Sequence, residues 1–309
     1  MLPTPLLRAE RLARSLGRAE IWVKRDDLTG FMLAGNKARP LERLVADAIA
    51  NGADTLVTGG GPASNWCAAA AAAARVAGLR CVIVLYGEDG GPVHPNLALV
   101  RWHGAEVRFT GDSDRSSVDE VLEQVAATVL ASGGQPYLMP RGGATVVGAL
   151  AYVDASQELA DQLAAIGARP ATVLVAAGSG GTAAGLVASA ASGRHPWRVV
   201  AAAVSRPPEE TATRVLELAR AAAEERGLKR PAEADVDVRD ARGPGYGLAS
   251  AEGDRAAELA AATEGLLLDP VFSAKALGAL LANPQLPEPV VFWHTGGHAA
   301  ALAHLGKEC

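Results

Sequence analysis

Short apolar runs alternate with helical patterns along most of the 309 residues, and this alternation restricts the fold more than any single motif. DTLVTGG (54–60), CVIVLYG (81–87) and AEVRFTG (105–111) read as strands, with helical patterns near 66–78 and 94–104 between them. Upstream, PLERLVADAIANG places Leu41, Leu44, Val45, Ala48 and Ile49 on one apolar helical stripe, which Gly52 ends. A second series opens with a long helix at about 145–167 and continues through ATVLVAAGSGG (171–181), WRVVAAAVS (197–205) and PVVFWHTGG (289–297). This βαβ rhythm predicts an α/β fold with mainly parallel sheets. Two lobes are expected: a smaller one of residues 39–144 and a larger one of 1–38 plus 145–309, with MPRGGA (139–144) at a crossing. The segment 206–231 reads as a solvated helix bounded by prolines, and the alanines from Ala68 to Ala74 suit a helix packed tightly on a sheet.

Charge narrows the partners. A formal charge of −5 offers no basic field for a phosphate backbone, so nucleic acid is not expected. No apolar run is long enough for a membrane span and no signal peptide is visible, so the expected location is the cytoplasm. Cys67, Cys81 and Cys309 have no metal spacing and read as reduced thiols. His294 and His298 straddle two glycines, which argues against a shared helical metal face, and no metal is expected.

Chemistry concentrates in two glycine-rich loops and one lysine. In VLVAAGSGGTAAGL an apolar strand runs into Gly178, Ser179, Gly180, Gly181 and Thr182 and then into a helix, an arrangement whose free amides attract an anion such as phosphate. Gly178, Gly180 and Ala183 also satisfy a dinucleotide fingerprint, but its acidic partner is missing; Ser205 and Arg206 stand there, and an arginine leaves an NADP reading open. In GGGPASNW, Ser64 and Asn65 open a second helix and offer hydroxyl, amide and backbone N–H groups to a carboxylate, or simply cap the helix. Only Lys24, Lys37, Lys229, Lys275 and Lys307 carry primary amines on side chains. Lys37 follows Gly35 and Asn36 at a helix start, where the positive dipole end disfavours its charged form and prepares a free amine for carbonyl chemistry. Lys275 is the second candidate amine, without an adjoining serine–asparagine loop. Asp26 and Asp27 read as structural.

Six ordered segments, IWVKRDDLTGFMLAGNKAR, TGGGPASNW, GSGGTAAGL, GPGYGL, LDPVFSAKA and FWHTGG, together resemble the aminocyclopropane-carboxylate deaminase and D-cysteine desulfhydrase family over nearly the whole chain. That resemblance implies the tryptophan-synthase-β-like fold, fold type II, and the cofactor pyridoxal 5'-phosphate. It implies that Lys37 forms the imine with the cofactor and then acts as acid and base at the substrate α-carbon, that Asn65 bonds the ring hydroxyl, and that residues 178 to 182 hold the phosphate. Ser64 would sit beside the substrate carboxylate and assist proton transfer, with Tyr246 near the substrate; related enzymes are homodimers.

Several positions depart from the family pattern. Phe272 replaces a second active-site tyrosine, which removes a phenol donor and disfavours cyclopropane ring opening. Trp66 and Ala63 alter the pocket beside Ser64, and Pro40 replaces a base that helps neutralise phosphate. Trp66, Phe272 and Tyr246 are expected to line the substrate side chain. Ser273 or Thr295 would be a neutral partner for the pyridine nitrogen, which weakens the electron sink and favours prompt loss of a β-substituent. The expected function is a lyase that eliminates a β-substituent, such as thiol or sulfide, from a small α-amino acid through an aminoacrylate, giving pyruvate and ammonia. The alternatives are a β-replacement synthase, a ring-opening deaminase, an NADP-dependent oxidoreductase, and a non-catalytic binder of the cofactor.

Overall fold

The computed structural model describes residues 2–91 and 93–306; Lys307 and Cys309 lie outside them. The chain opens with β1 (Leu6–Arg8), α1 (Glu10–Ser15), β2 (Ile21–Arg25) and α2 (Ala38–Ala50). There follow β3 (Thr55–Gly60), α3 (Asn65–Ala77), β4 (Arg80–Leu85), α4 (Pro95–Trp102), β5 (Glu106–Phe109), α5 (Ser117–Ala131) and β6 (Pro136–Leu138). The remainder comprises α6 (Val146–Ile166), β7 (Thr172–Ala177), α7 (Gly181–Ala191), β8 (Arg198–Ala203), α8 (Pro208–Glu225), β9 (Asp237–Asp240), α9 (Ala251–Glu264), α10 (Ser273–Ala282), β10 (Val290–His294) and α11 (His298–Leu305).

These strands form two sheets, in the orders β1-β2-β10-β7-β8-β9 and β5-β4-β3-β6. Every pairing is parallel except β1 with β2. Parallel strands need crossover connections, and helices on both faces supply them, so β3, β4, β7, β8 and β10 read as nearly unbroken buried runs. The alanine run of α3 is buried throughout, its small side chains admitting close contact with β3 and β4. Ser64 caps that helix by accepting from the Cys67 amide at 3.2 Å.

Two expectations fail. Ile49 is 53% exposed, because the face of α2 that packs inward carries Leu41, Leu44 and Ala48 and leaves Ile49 beyond its edge. Nor is α8 merely solvated: Val215, Leu216, Ala219, Ala222 and Ala223 bury one face of it against the larger sheet's helical layer. Helix α5 was not anticipated, although Val118, Leu122, Val125 and Val129 form its buried stripe.

A buried ionic cluster joins β2, α2 and α6. Arg39 donates to both oxygens of Asp26 at 2.9 and 2.8 Å and to Glu158 at 3.0 and 2.8 Å. Lys24 donates to the same Glu158 at 2.5 Å and to the Thr4 carbonyl at 2.7 Å. Tyr152 brings its hydroxyl within 2.9 Å of both Asp26 and the Asn36 carbonyl, which ties the cluster to the residue before Lys37. Burial works against the Glu158 charge, but hydrogen bonds from Arg39 and Lys24 outweigh it and hold the carboxyl down to about 2. Because that value is depressed on folding, its stabilisation is complete above the unfolded range near 4.5 and fades as the pH falls towards 2. Arg39→Met strands buried carboxylates and is expected to lower stability by about 3–5 kcal/mol at neutral pH in a denaturant titration, with a smaller difference below pH 3.

Candidate active site

One cleft collects the carboxyl ends of parallel strands from both sheets. Gly59 and Gly60 end β3 and Gly61 follows it, Tyr86 follows β4, Gly178 to Thr182 run from the end of β7 into α7, Ser205 and Arg206 follow β8, and Thr295 to Gly297 follow β10. Its volume, counted to the open mouth, is about 1010 Å³.

Among the described lysines, Lys37 lines this cleft. The short turn Gly35–Lys37 leads directly into α2 and puts Lys37 at the N-cap position of that helix, with no side chain capping it. Gly35 makes the turn feasible: its φ is +56°, and a Cβ there would come within 2.4 Å of the Thr295 carbonyl oxygen. The Lys37 side chain is half-buried, facing the cleft, with Nζ 3.4 Å from the Gly142 carbonyl oxygen. Burial depresses its pKa to about 8, and among the described residues no carboxylate opposes that shift. The other buried amines are committed: Lys24 to Glu158, and Lys275 to the carbonyls of Arg242 and Gly245 at 2.7 and 2.8 Å. Lys229 is exposed.

Across the cleft the β7–α7 turn presents an anion seat. Gly180, at φ +94°, lets the chain double back into α7, whose first amides have no carbonyl partners within the helix. Thr182 accepts from Asn36 Nδ2 at 3.0 Å, which couples the lysine segment to the seat. Ser179 lines the cleft beside Gly142. Asn65 donates to the Ala34 carbonyl at 3.0 Å and leaves its Oδ1 buried with no partner among the described residues. Such an orphan acceptor costs about 1–3 kcal/mol unless a ligand donor meets it. Ser64 lines the cleft with its hydroxyl oxygen capping α3 and its side chain also within hydrogen-bonding reach of the Cys67 thiol.

The remaining predicted residues separate. Phe272 and Tyr246 line the cleft as an edge-to-face pair with centroids 6.2 Å apart, and the Phe272 ring lies against Gly178. Tyr246 is 38% exposed as a residue, and burial of its phenol in the cleft pushes its pKa up to about 12. Trp66 reaches the cleft wall but is 2% exposed, and its indole donates to Thr58 Oγ1 at 2.8 Å, so it acts chiefly as packing. Thr295 lines the cleft, whereas Ser273 is fully buried with its hydroxyl bonded to Asp269 at 2.5 Å. Asp269 itself reaches the cleft and was missed in the sequence, as were Arg115 and Arg141. Burial raises its pKa against the hydrogen bonds from Ser273 and the amides of residues 271 to 273.

Behind the Thr295–Gly297 turn, Asp27, His294 and His298 each place one ligand atom within 4.8 Å of the others. The histidine spacing alone argued against such a cluster; Asp27 from another segment completes it. Arg25 already holds both Asp27 oxygens, at 2.8 and 2.7 Å, and burial lowers the His294 pKa to about 4, so that imidazole is neutral.

An amine with only a distant carbonyl partner, an anion seat and an orphan acceptor line one cleft and define an enzyme site that fits a phosphorylated carbonyl compound. The pyridoxal-phosphate dependent enzyme family matches residues 1–296. A D-cysteine desulfhydrase from Salmonella choleraesuis is 37% identical over 98% of this chain and 94% of its own. A Pyrococcus abyssi protein provisionally named a 1-aminocyclopropane-1-carboxylate deaminase is 38% identical over 99% of this chain and 92% of its own. The crystal structure of an ACC deaminase homologue superposes with a TM-score of 0.90 at 33% identity, covering 98% of this chain and 92% of that one. The protein belongs to the pyridoxal-phosphate-dependent enzyme family, with the fold type II architecture of that homologue.

Competitive acylation across a pH series, read by peptide mass spectrometry on cofactor-free protein, is expected to show Lys37 titrating near 8. A midpoint near the model-peptide value of about 10.4 would contradict the burial argument.

Proposed function

We propose that the protein is a pyridoxal-phosphate-dependent lyase that eliminates a β-substituent from a small α-amino acid and releases pyruvate and ammonia. The observation that carries this reading is the Lys37 amine, held without a carboxylate partner among the described residues in the cleft that the Gly178–Thr182 turn also lines. Lys37, Asn65, the turn Gly178, Ser179, Gly180, Gly181 and Thr182, and Thr295 would hold the cofactor, with Ser273 acting behind Asp269. The orphan Asn65 Oδ1 suits the ring hydroxyl, and the free amides of α7 suit the phosphate. When bound, pyridoxal phosphate supplies an electrophilic carbonyl for the substrate amine and an electron sink that acidifies the α-carbon.

Each side chain then has a task. Neutral Lys37 is positioned to take and return the proton at the α-carbon, since a pKa near 8 leaves a useful free-base fraction at neutral pH. Ser64 would donate its hydroxyl to the substrate carboxylate, beside the amides opening α3. Tyr246 stands at the mouth near the leaving group, while Phe272 and Trp66 form apolar walls that exclude water. Phe272 offers no phenol for ring opening, which favours elimination over the activity named for the Pyrococcus relative. The desulfhydrase relatives, named for D-cysteine, support a carbon–sulfur bond as one target.

The two sheets support the division into a lobe of residues 39–144 and another of 1–38 plus 145–309, with the site between them. A cytoplasmic homodimer fits the resemblance and the large exposed side chains Trp102, at 84%, and Val76, at 77%; among the described residues no helix is long and apolar enough to cross a membrane.

Purified holoenzyme is expected to form pyruvate from D- or L-cysteine and from β-chloroalanine, with sulfide from cysteine. Lys37→Ala should lower the rate by about 10²-fold or more. Borohydride reduction and peptide mapping should find the cofactor label on Lys37; a label on another lysine would overturn the assignment. Fast turnover of aminocyclopropane carboxylate would overturn the part assigned to Phe272.

A further inference from the structure

The cleft has a charge opposite to that of the chain. Against a formal net charge of −5, its lining includes Lys37, Arg115, Arg141 and Arg206 and, among the described residues, a single acid, Asp269, whose carboxylate is taken up by Ser273 and local amides. The three arginines come from three separate connections, those after β5, β6 and β8. Their convergence is therefore a product of the fold and not of a local basic run. Each is only partly exposed. Arg141 holds both oxygens of Asp119, and Arg206 pairs with Glu210 and donates from one Nη to the Gly178 carbonyl at 2.9 Å, but the two carboxylates are 55% and 52% exposed and their charges are screened by water. Arg115 has no carboxylate partner among the described residues; its Nη2 lies 3.4 Å from the Ser205 carbonyl and its guanidinium 5.3 Å from the Tyr246 ring centroid.

Like charges gathered in a half-buried cleft repel one another, and Arg115 and Arg141 both contribute to lowering the Arg206 pKa after burial and Arg214. An oxyanion placed among them would offset that repulsion, and guanidinium forks match tetrahedral oxyanions well. The cofactor phosphate already has its seat in the amides of α7. Arg115 instead stacks on Tyr246, which pairs with Phe272 on the wall assigned to the substrate side chain.

We propose that Arg115, Arg141 and Arg206 seat an anionic β-substituent, so that the preferred substrate is an α-amino acid whose leaving group is an oxyanion. This rests on the elimination reading and departs from the thiol of the desulfhydrase relatives. Lys37 takes the α-proton, the bond from the β-carbon to the substituent breaks with its electron pair leaving on the oxyanion, and one water converts the remaining enamine to pyruvate and ammonium. For serine O-sulfate the released group is hydrogen sulfate, and for O-phosphoserine it is phosphate; no oxidant or reductant is needed.

The test compares kcat/KM of the holoenzyme for serine O-sulfate and O-phosphoserine with that for cysteine and β-chloroalanine, in both enantiomers, by pyruvate release. The oxyanionic substrates are expected to be preferred by about tenfold or more, and Arg115→Gln or Arg141→Gln to lower that ratio by about tenfold, with partial recovery in Arg115→Lys. The two oxyanionic compounds distinguish a sulfate from a phosphate leaving group. An unchanged ratio, or equal losses on all substrates with a raised dissociation constant for the cofactor, overturns the proposal, the second result assigning the arginines to the cofactor phosphate. Turnover of cysteine without any oxyanion preference overturns the seat and leaves the elimination reading standing. Should no amino acid yield pyruvate, that reading fails, and spectral titration of the holoenzyme with the same compounds decides the seat: tighter binding of the oxyanionic pair supports it, and equal binding overturns it.

Discussion

The ionic cluster of Asp26, Arg39, Glu158 and Lys24 is the constraint on which the site geometry depends. Charges at this depth are tolerated only when each meets partners, and here two cations and two carboxylates satisfy one another across β2, α2 and α6. The arrangement leaves little freedom at the start of α2. Tyr152 extends it to the Asn36 carbonyl, and Asn36 reaches Thr182 in the β7–α7 turn. The segment that carries Lys37 and the anion seat are therefore joined by one connected set of hydrogen bonds.

The same chain treats two buried amines and one half-buried amine in different ways. Lys24 receives a carboxylate and Lys275 two backbone carbonyls, so both stay engaged in structure. Lys37 receives only a distant carbonyl at 3.4 Å and bears the cost of burial as a depressed pKa. That unmet cost makes the amine available for a carbonyl. The orphan Asn65 Oδ1 follows the same logic: a polar atom kept dry and unpaired stabilises nothing in the chain and is ready for a ligand.

Much of this was legible beforehand, because parallel strands and their crossover helices write short apolar runs and amphipathic stripes locally. The strands β3, β4, β5, β7, β8 and β10 fall where those runs stand, and Ser64 and Gly78 bound α3 as capping chemistry requires. Helix α8 was misjudged because its many charges hide a buried stripe. Strand β6, three residues beginning with proline, is too short for any alternation to show. Ser273, which the family resemblance offers with Thr295 as a neutral partner of the cofactor ring, donates its hydroxyl to Asp269, four residues earlier, a contact that only the folded turn brings about.

What could be had from the amino-acid order was the α/β class, the two loops and Lys37, since backbone periodicity, glycine content and a scarcity of amines are local properties of the chain. Which side chains share a space could not, because Arg115, Arg141 and Arg206, or Asp27 with His294 and His298, are far apart or misaligned until the sheets assemble. The state of Lys37 belongs to the same category: its lowered pKa arises from the loss of water around it, and that loss exists only once both sheets have closed over the cleft.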